Sequence, residues 1–402
     1  MSSGYGRAPF VTSRRRLTAK ATKERIVNSR LTQTIGLDYP IIQAPMAGTS
    51  TSALAAAVSN AGALGSIAIG AVDAEEARRQ IQATRALTAR PFNVNVFCHA
   101  TAAPDPAGDQ AWINRLRPLF APFDAQPPEQ LRDIYPSFLD DDAQLAVLLD
   151  ERPAVVSFHF GLPRPKQIAA LKAAGILLLA TATSPAEGQA VQGAGIDMVV
   201  AQGWEAGGHR GVFDPADDLM FATLPLTRLL TSRLTIPVIA AGGIMDGAGI
   251  VAAMTLGAAG AQMGTAFVPC PESAADAAYR RALEGQEAQR TRVSAVLSGR
   301  PARGMENAFM RQAEPDAIAA YPRAYDIGKA LNTAAKAAGD DGYAAQWAGQ
   351  GAPLSRIMPA DQLVRTLADE IDRAASIFRS DETNRAVGSN VGKNHPPRQA
   401  AP

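Results

Sequence analysis

The dominant pattern in the chain is a succession of short, continuously apolar runs, each closed by small or polar residues and most followed by a segment with helical spacing. Eight such runs lie between Leu37 and Phe267: 40–45 (PIIQAP), 63–70 (ALGSIAIG), 92–98 (FNVNVFC), 154–161 (AVVSFHFG), 176–183 (ILLLATAT), 198–203 (MVVAQG), 237–243 (PVIAAGG) and 260–267 (GAQMGTAF). A strand covered on both faces needs continuous rather than alternating apolarity, as in a parallel sheet. The stretches between them, such as 52–61, 74–88, 166–174, 185–192, 219–234 and 246–256, have lengths that suit crossover helices.

Eight βα units in about 230 residues match a closed (β/α)8 TIM barrel, whereas an open doubly wound sheet usually stops at five to seven strands. Barrel chemistry sits at the C-terminal ends of the strands, which directs attention to Ala44, Asn95, His159, Thr183, Gln202, Gly242 and Gly264. The spacing thus predicts a barrel over 31–270. The proline-rich segment 100–152 is too long for a plain crossover and reads as an elaborated third-to-fourth-strand connection, a candidate lid. Residues 271–346 are Ala- and charge-rich, with helical spacing interrupted by SGRPARG at 298–304, and predict a smaller, mainly helical second domain. WAGQGA (347–352) opens a lid segment and closing helix over 347–380, with apolar spacing at Leu363, Leu367, Ile371 and Ile377. The polar residues 381–402 read as a flexible tail.

Composition narrows the partners. Lys plus Arg (39) nearly balance Asp plus Glu (38), so no field favours nucleic acid or an acidic membrane, and a small-molecule substrate is expected. Cys98 and Cys270 lie far apart with no CxxC spacing, which speaks against disulfides or a thiolate metal site and fits a reducing, cytoplasmic setting. No apolar run approaches the roughly 18 to 20 residues of a membrane span. Residues 1–30 are unusual, carrying eight Arg and Lys against the single acid Glu24. A solvated basic arm packing on a neighbour is the preferred reading, with an organelle-targeting leader as the alternative.

The seventh run ends in AAGGIMDG (240–247) and the eighth in QMGTAF (262–267). Loops after strands seven and eight are where barrels most often bind phosphate, and glycines let backbone amides approach an anion closely. A phosphate-bearing ligand follows, FMN or a sugar phosphate. No GxGxxG fingerprint indicates a tightly held dinucleotide.

QAPMAG (43–48), FNVNV (92–96), QGWEAGGHRG (202–211), PVIAAGGIMDG (237–247) and GAQMGTAF (260–267) together resemble the nitronate monooxygenase family, formerly called 2-nitropropane dioxygenases. That family is similar to the FMN-dependent enoyl-acyl-carrier-protein reductases. The resemblance implies FMN-dependent oxidation of alkyl nitronates, such as propionate 3-nitronate, by dioxygen to a carbonyl compound and nitrite. It implies that Ala44, Pro45 and Met46 run under the flavin ring with their amides facing its polar edge. Asn95 and Gln202 would hydrogen-bond the ring, and Gly207, Gly208, Gly242, Gly243, Gly264 and Thr265 would cradle ribityl and phosphate. It leaves a homodimer open.

Of the four histidines, His99, His159 and His209 lie at or just past strand ends, and His395 lies in the tail. His209, in EAGGHRG, is the first candidate for a catalytic group, a base needed only for neutral nitroalkanes because nitronates are already anionic. His159, in SFHFGLP, is the second, as a group that orients or polarises a substrate oxygen. The rival readings are a flavin-dependent NAD(P)H enoyl-thioester reductase and a flavin-free phosphate-binding barrel.

Overall fold

The computed structural model describes residues 28–313 and 316–388, with the side chains of the final helix described through Ser376. Most of the basic arm and most of the tail fall outside that range. The eight apolar runs form β1 (Ile41–Gln43), β2 (Gly65–Ala68), β3 (Phe92–Phe97), β4 (Val155–His159), β5 (Leu177–Ala182), β6 (Met198–Gln202), β8 (Val238–Ala241) and β9 (Gly260–Met263). A two-residue strand, β7 (Gly208–His209), lies between the sixth and seventh. The eight pair in parallel in the order β1-β9-β8-β6-β5-β4-β3-β2, and a parallel bridge between Ile42 and Leu64 closes the ring. This is the expected (β/α)8 barrel.

Side-chain alternation explains how one strand serves two surroundings. On β3, Phe92, Val94 and Val96 join the core between sheet and helices, together with Val156 and Phe158 of β4 and Leu178 and Ala180 of β5. Their neighbours Asn93, Asn95 and Ser157 are buried polar residues on the opposite, interior face. The interior pairs them off: Asn93 donates to Ser66 Oγ at 3.1 Å, and Asn95 donates to the carbonyl and hydroxyl of Ser157 at 3.1 and 3.0 Å. At the N-terminal end the short helix Arg30–Ile35, capped by Ser29, buries Leu31 against Ile42, Leu64, Val155 and Met198.

The chain leaves the barrel after β9 and returns late. The closing helix runs Ala360–Gly388, past the expected end at 380, and it packs between the helices Ser52–Asn60 and Gly247–Thr255. It thereby takes the place of the eighth barrel helix, burying Leu363, Val364, Leu367 and Ile371 against Leu54, Val58, Ile250 and Val251. Gly247 permits this approach, since a Cβ there would lie 2.4 Å from the Glu370 backbone. Arg356 ties the return together by pairing with Glu370 at 2.6 Å and donating to the Met245 carbonyl at 2.8 Å.

The smaller domain is helical, with an antiparallel sheet that helical spacing had concealed. Strands β10 (Thr291–Ser294) and β11 (Ala302–Met305) pair with each other, and β11 pairs onward with β7. From the 100–152 connection, the helix Pro106–Phe120 crosses to this side and buries Trp112, Leu116 and Phe120 against Phe309, Ile327 and Leu331. The helix Asp142–Glu151 instead packs among the barrel helices. Arg132 grips Asp326 with its guanidinium at 3.0 Å, fixing the connection to the helix Arg323–Ala337.

Candidate active site

A cavity of about 650 Å³ opens at the C-terminal ends of the barrel strands. Its wall contains Ala44, Pro45, Met46, Asn95, Gln202, Gly207, Gly208, Gly242, Gly243, Gly264, Thr265, His159 and His209, so one chamber gathers the expected flavin-contacting residues and the two histidines expected to be catalytic. Thr183 is not among them: its hydroxyl donates to Glu187 at 2.8 Å on the outer side of the strand end. His99 also falls behind the wall, buried edge-on against Tyr321 with ring centroids 5.0 Å apart.

The β7–β11 pairing explains how two distant motifs meet. His209 pairs with Ala302 and Gly208 with Arg303, so SGRPARG is zipped by main-chain bonds onto EAGGHRG. Arg210, fully buried, clamps the same loop: it pairs with Asp218 at 2.8 Å and donates to the Gly203 carbonyl at 2.8 Å. Gly207 lies against the WAGQGA segment, where a Cβ would fall 2.5 Å from the Gly349 nitrogen. Gly208, Gly242 and Gly243 have φ of 76°, 124° and 70°, which strongly favour glycine.

Both histidine tautomers can be read from their partners. His159 Nε2 faces the His209 carbonyl at 3.2 Å, and a carbonyl only accepts, so Nε2 carries the proton. Its Nδ1 then accepts from the Thr181 hydroxyl at 3.0 Å. Both ring nitrogens of His159 are therefore engaged by protein. This corrects the expectation that His159 polarises a substrate oxygen: its geometry holds the His209 main chain, which Gln202 Nε2 also holds at 3.0 Å. His209 differs. Its Nε2 meets Ser298 Oγ at 2.9 Å, while Nδ1 has no hydrogen-bond partner among the described residues and is not sealed within them.

Burial pushes the His209 pKa down to about 3, with His159 and Arg300 adding to the effect, and burial lowers His159 to about 4. Both rings are neutral at physiological pH.

Two further expectations need adjusting. The amides of 44–46 are not free to meet a flavin edge, because Ala44 N–H donates to the Met263 carbonyl, Met46 N–H donates to Ser50 Oγ at 3.0 Å, and Pro45 has none. Gln202 directs its oxygen to Gly211 N–H at 2.7 Å and one N–H to His209, which makes it chiefly a holder of the 209–211 loop.

The sequence reading missed the roof. Tyr135 from the 100–152 connection, Tyr321, Tyr325 and Lys329 from the smaller domain, and Trp347 all line the cavity. Lys329 Nζ lies 4.8 Å from the Tyr135 ring centre and 5.3 Å from that of Tyr325. These residues come from segments with no local signature, and only the tertiary fold collects them. Trp347, in WAGQGA, was the one with a motif to point at it.

The chain is similar to several known proteins. The nitronate monooxygenase family model matches residues 28–370. A nitronate monooxygenase of Paraburkholderia phytofirmans is 57% identical over 86% of this chain and 95% of its own. Among solved structures, a nitroalkane oxidase from Streptomyces ansochromogenes is 42% identical with a TM-score of 0.78, covering 87% of this chain and 99% of that one. FabK from Thermotoga maritima is 29% identical with a TM-score of 0.68, covering 88% and 99%. The chain belongs to the nitronate monooxygenase family of oxidoreductases.

Proposed function

We propose that the cavity holds FMN and oxidises alkyl nitronates, propionate 3-nitronate among them, with dioxygen as the second substrate. The observation that carries this reading is the charge of the wall: Lys329 lines it, and among the described residues no Asp or Glu does. Such a chamber favours anions, both the phosphate of a cofactor and a nitronate bearing a carboxylate.

The residues present fit a flavin. Asn95 has both amide hydrogens on Ser157, which leaves Oδ1 to accept from a ring N–H. The Thr265 hydroxyl oxygen accepts from Gly349 N–H at 3.0 Å, leaving its own proton for a ribityl or phosphate oxygen. At Gly264 an added Cβ would stand in ordinary contact with Ala44 Cβ at 3.5 Å and Met46 Sδ at 3.7 Å, with no clash. The flavin supplies electron acceptance and reaction with dioxygen. The chain's own residues bind, orient and move a proton: Lys329 draws in the anion, the aromatic roof excludes water, and His209 Nδ1 takes the α-proton when a neutral nitroalkane enters. The imidazolium so formed sits beside the new nitronate, whose negative charge offsets the burial that disfavours protonation.

FMN rather than FAD is expected because the described residues form a barrel and a small antiparallel sheet, with no dinucleotide fold among them for an adenosine half. Mass spectrometry of the released cofactor tests this: FMN supports the reading, and FAD or no flavin overturns it.

A further inference from the structure

The smaller domain contributes more than a roof. Ser298 stands behind His209, on the side away from the open Nδ1, within the loop that leads into β11. It is fully buried. Its hydroxyl has a single proton, and that proton goes to the Arg300 carbonyl at 3.1 Å. The Arg300 carbonyl has no other donor among the described residues, so turning the hydroxyl away would leave that acceptor unsatisfied, which is unfavourable. The Arg300 N–H also leans on the same oxygen at 3.4 Å. Toward His209, Ser298 Oγ therefore has only lone pairs to offer, and the 2.9 Å contact is completed by a proton on Nε2.

We infer that Ser298 is a positioning residue that locks His209 as the Nε2–H tautomer and so keeps the Nδ1 lone pair turned to the cavity. The two domains thus share the proton-transfer unit. The barrel supplies the imidazole, and the smaller domain decides which of its nitrogens is basic. Without Ser298 the Nε2 proton loses its acceptor, the Nδ1–H tautomer becomes accessible, and a ring in that form meets a substrate C–H with no lone pair. The inference rests on His209 acting as base in the proposed reaction, but its physical content, the tautomer, can be read independently of turnover.

The test uses the full flavin-loaded chain labelled with ¹⁵N-histidine, comparing the unmodified protein with Ser298→Ala and Ser298→Thr. The chain has only four histidines, and His209→Asn assigns the resonance by its loss. Long-range ¹H–¹⁵N spectra report which ring nitrogen is protonated. The expected result is the Nε2–H form in the unmodified protein and in Ser298→Thr, and a shift toward Nδ1–H in Ser298→Ala. The ratio of nitroalkane to nitronate turnover should fall about tenfold in Ser298→Ala and recover in Ser298→Thr. An Nδ1–H form in the unmodified protein, or an unchanged His209 spectrum in Ser298→Ala, overturns the inference even if Ser298→Thr fails to fold. A shifted tautomer with an unchanged turnover ratio supports the locking by Ser298 and instead sinks His209 as the base.

Discussion

His159 donates its Nε2 proton to the main-chain carbonyl of His209 across 3.2 Å, so the two histidines are connected in series instead of facing a substrate side by side. One ring holds the backbone of the other. The arrangement gives them unequal roles, because only His209 keeps an unengaged nitrogen in the cavity wall.

The substitution His209→Ala should therefore separate two substrates. Proton abstraction is required for a neutral nitroalkane and not for a preformed nitronate, and loss of a general base costs about 10²- to 10⁴-fold on the step that needs it. Oxygen uptake with each substrate should show nitroalkane turnover falling by that order and nitronate turnover falling far less. His159→Ala removes one hydrogen bond to the His209 carbonyl while Gln202 keeps the other, so a loss of about tenfold is expected, as for one hydrogen bond. Equal losses on both substrates in His209→Ala would refute its role as base. A heavier loss in His159→Ala than in His209→Ala would return His159 to direct substrate contact.

Glycines at the mouth and glycines in the frame should respond differently. At Gly264 an added Cβ meets only ordinary contacts, so Gly264→Val should fold and lose flavin because its methyls project into the cavity. At Gly247 a Cβ would collide with the backbone of Glu370 and Ile371, so Gly247→Ala should lower the melting temperature with flavin content little changed. Flavin absorbance per chain, read beside thermal denaturation, checks both. Full flavin content in Gly264→Val would place the phosphate elsewhere.

The barrel was legible because parallel strands and their crossover helices leave long, regular patterns in the chain; the interior polar layer of Asn93, Asn95 and Ser157 was not, because the runs read as continuously apolar. The glycines Gly242, Gly243 and Gly264 of the cavity wall were legible for the same reason as the barrel, lying at strand ends whose position the pattern sets. The roof was not. Tyr321, Tyr325 and Lys329 sit on or beside a helix whose spacing says only that one face is buried. β7 is two residues long and contains a glycine, so its pairing with β11 leaves no trace in periodicity. The helix at 360 was visible from its apolar spacing, yet its place as the eighth barrel helix depends on contacts with residues some hundred to three hundred positions earlier.

Stability should fall on mild acidification. Burial holds His99 and His159 at about 4 and His209 at about 3, below the ordinary histidine value of 6.5. Because the folded values are depressed, the unfolded chain binds more protons below pH 6.5, so the stabilisation is full above that pH and is lost as pH drops toward 4. Each histidine contributes a slope of up to about 1.4 kcal/mol per pH unit within that window. The lowered carboxylates, such as Asp218, act at lower pH, below their ordinary range. Urea midpoints measured from pH 7.5 to 5 should decline below about 6.5. A flat or rising midpoint would show that these rings are not held neutral by burial.

Under the proposed function, this cavity passes electrons from a nitronate to a bound flavin. The most direct test is to mix the purified yellow protein anaerobically with propionate 3-nitronate, and separately with NADH, and to follow the visible flavin absorbance. Bleaching by the nitronate and none by NADH, followed on admission of air by recovery of the yellow colour and release of nitrite, is the expected result. Bleaching by NADH alone, with the nitronate inert, would contradict the account and identify the chain as a reductase of the enoyl-thioester type.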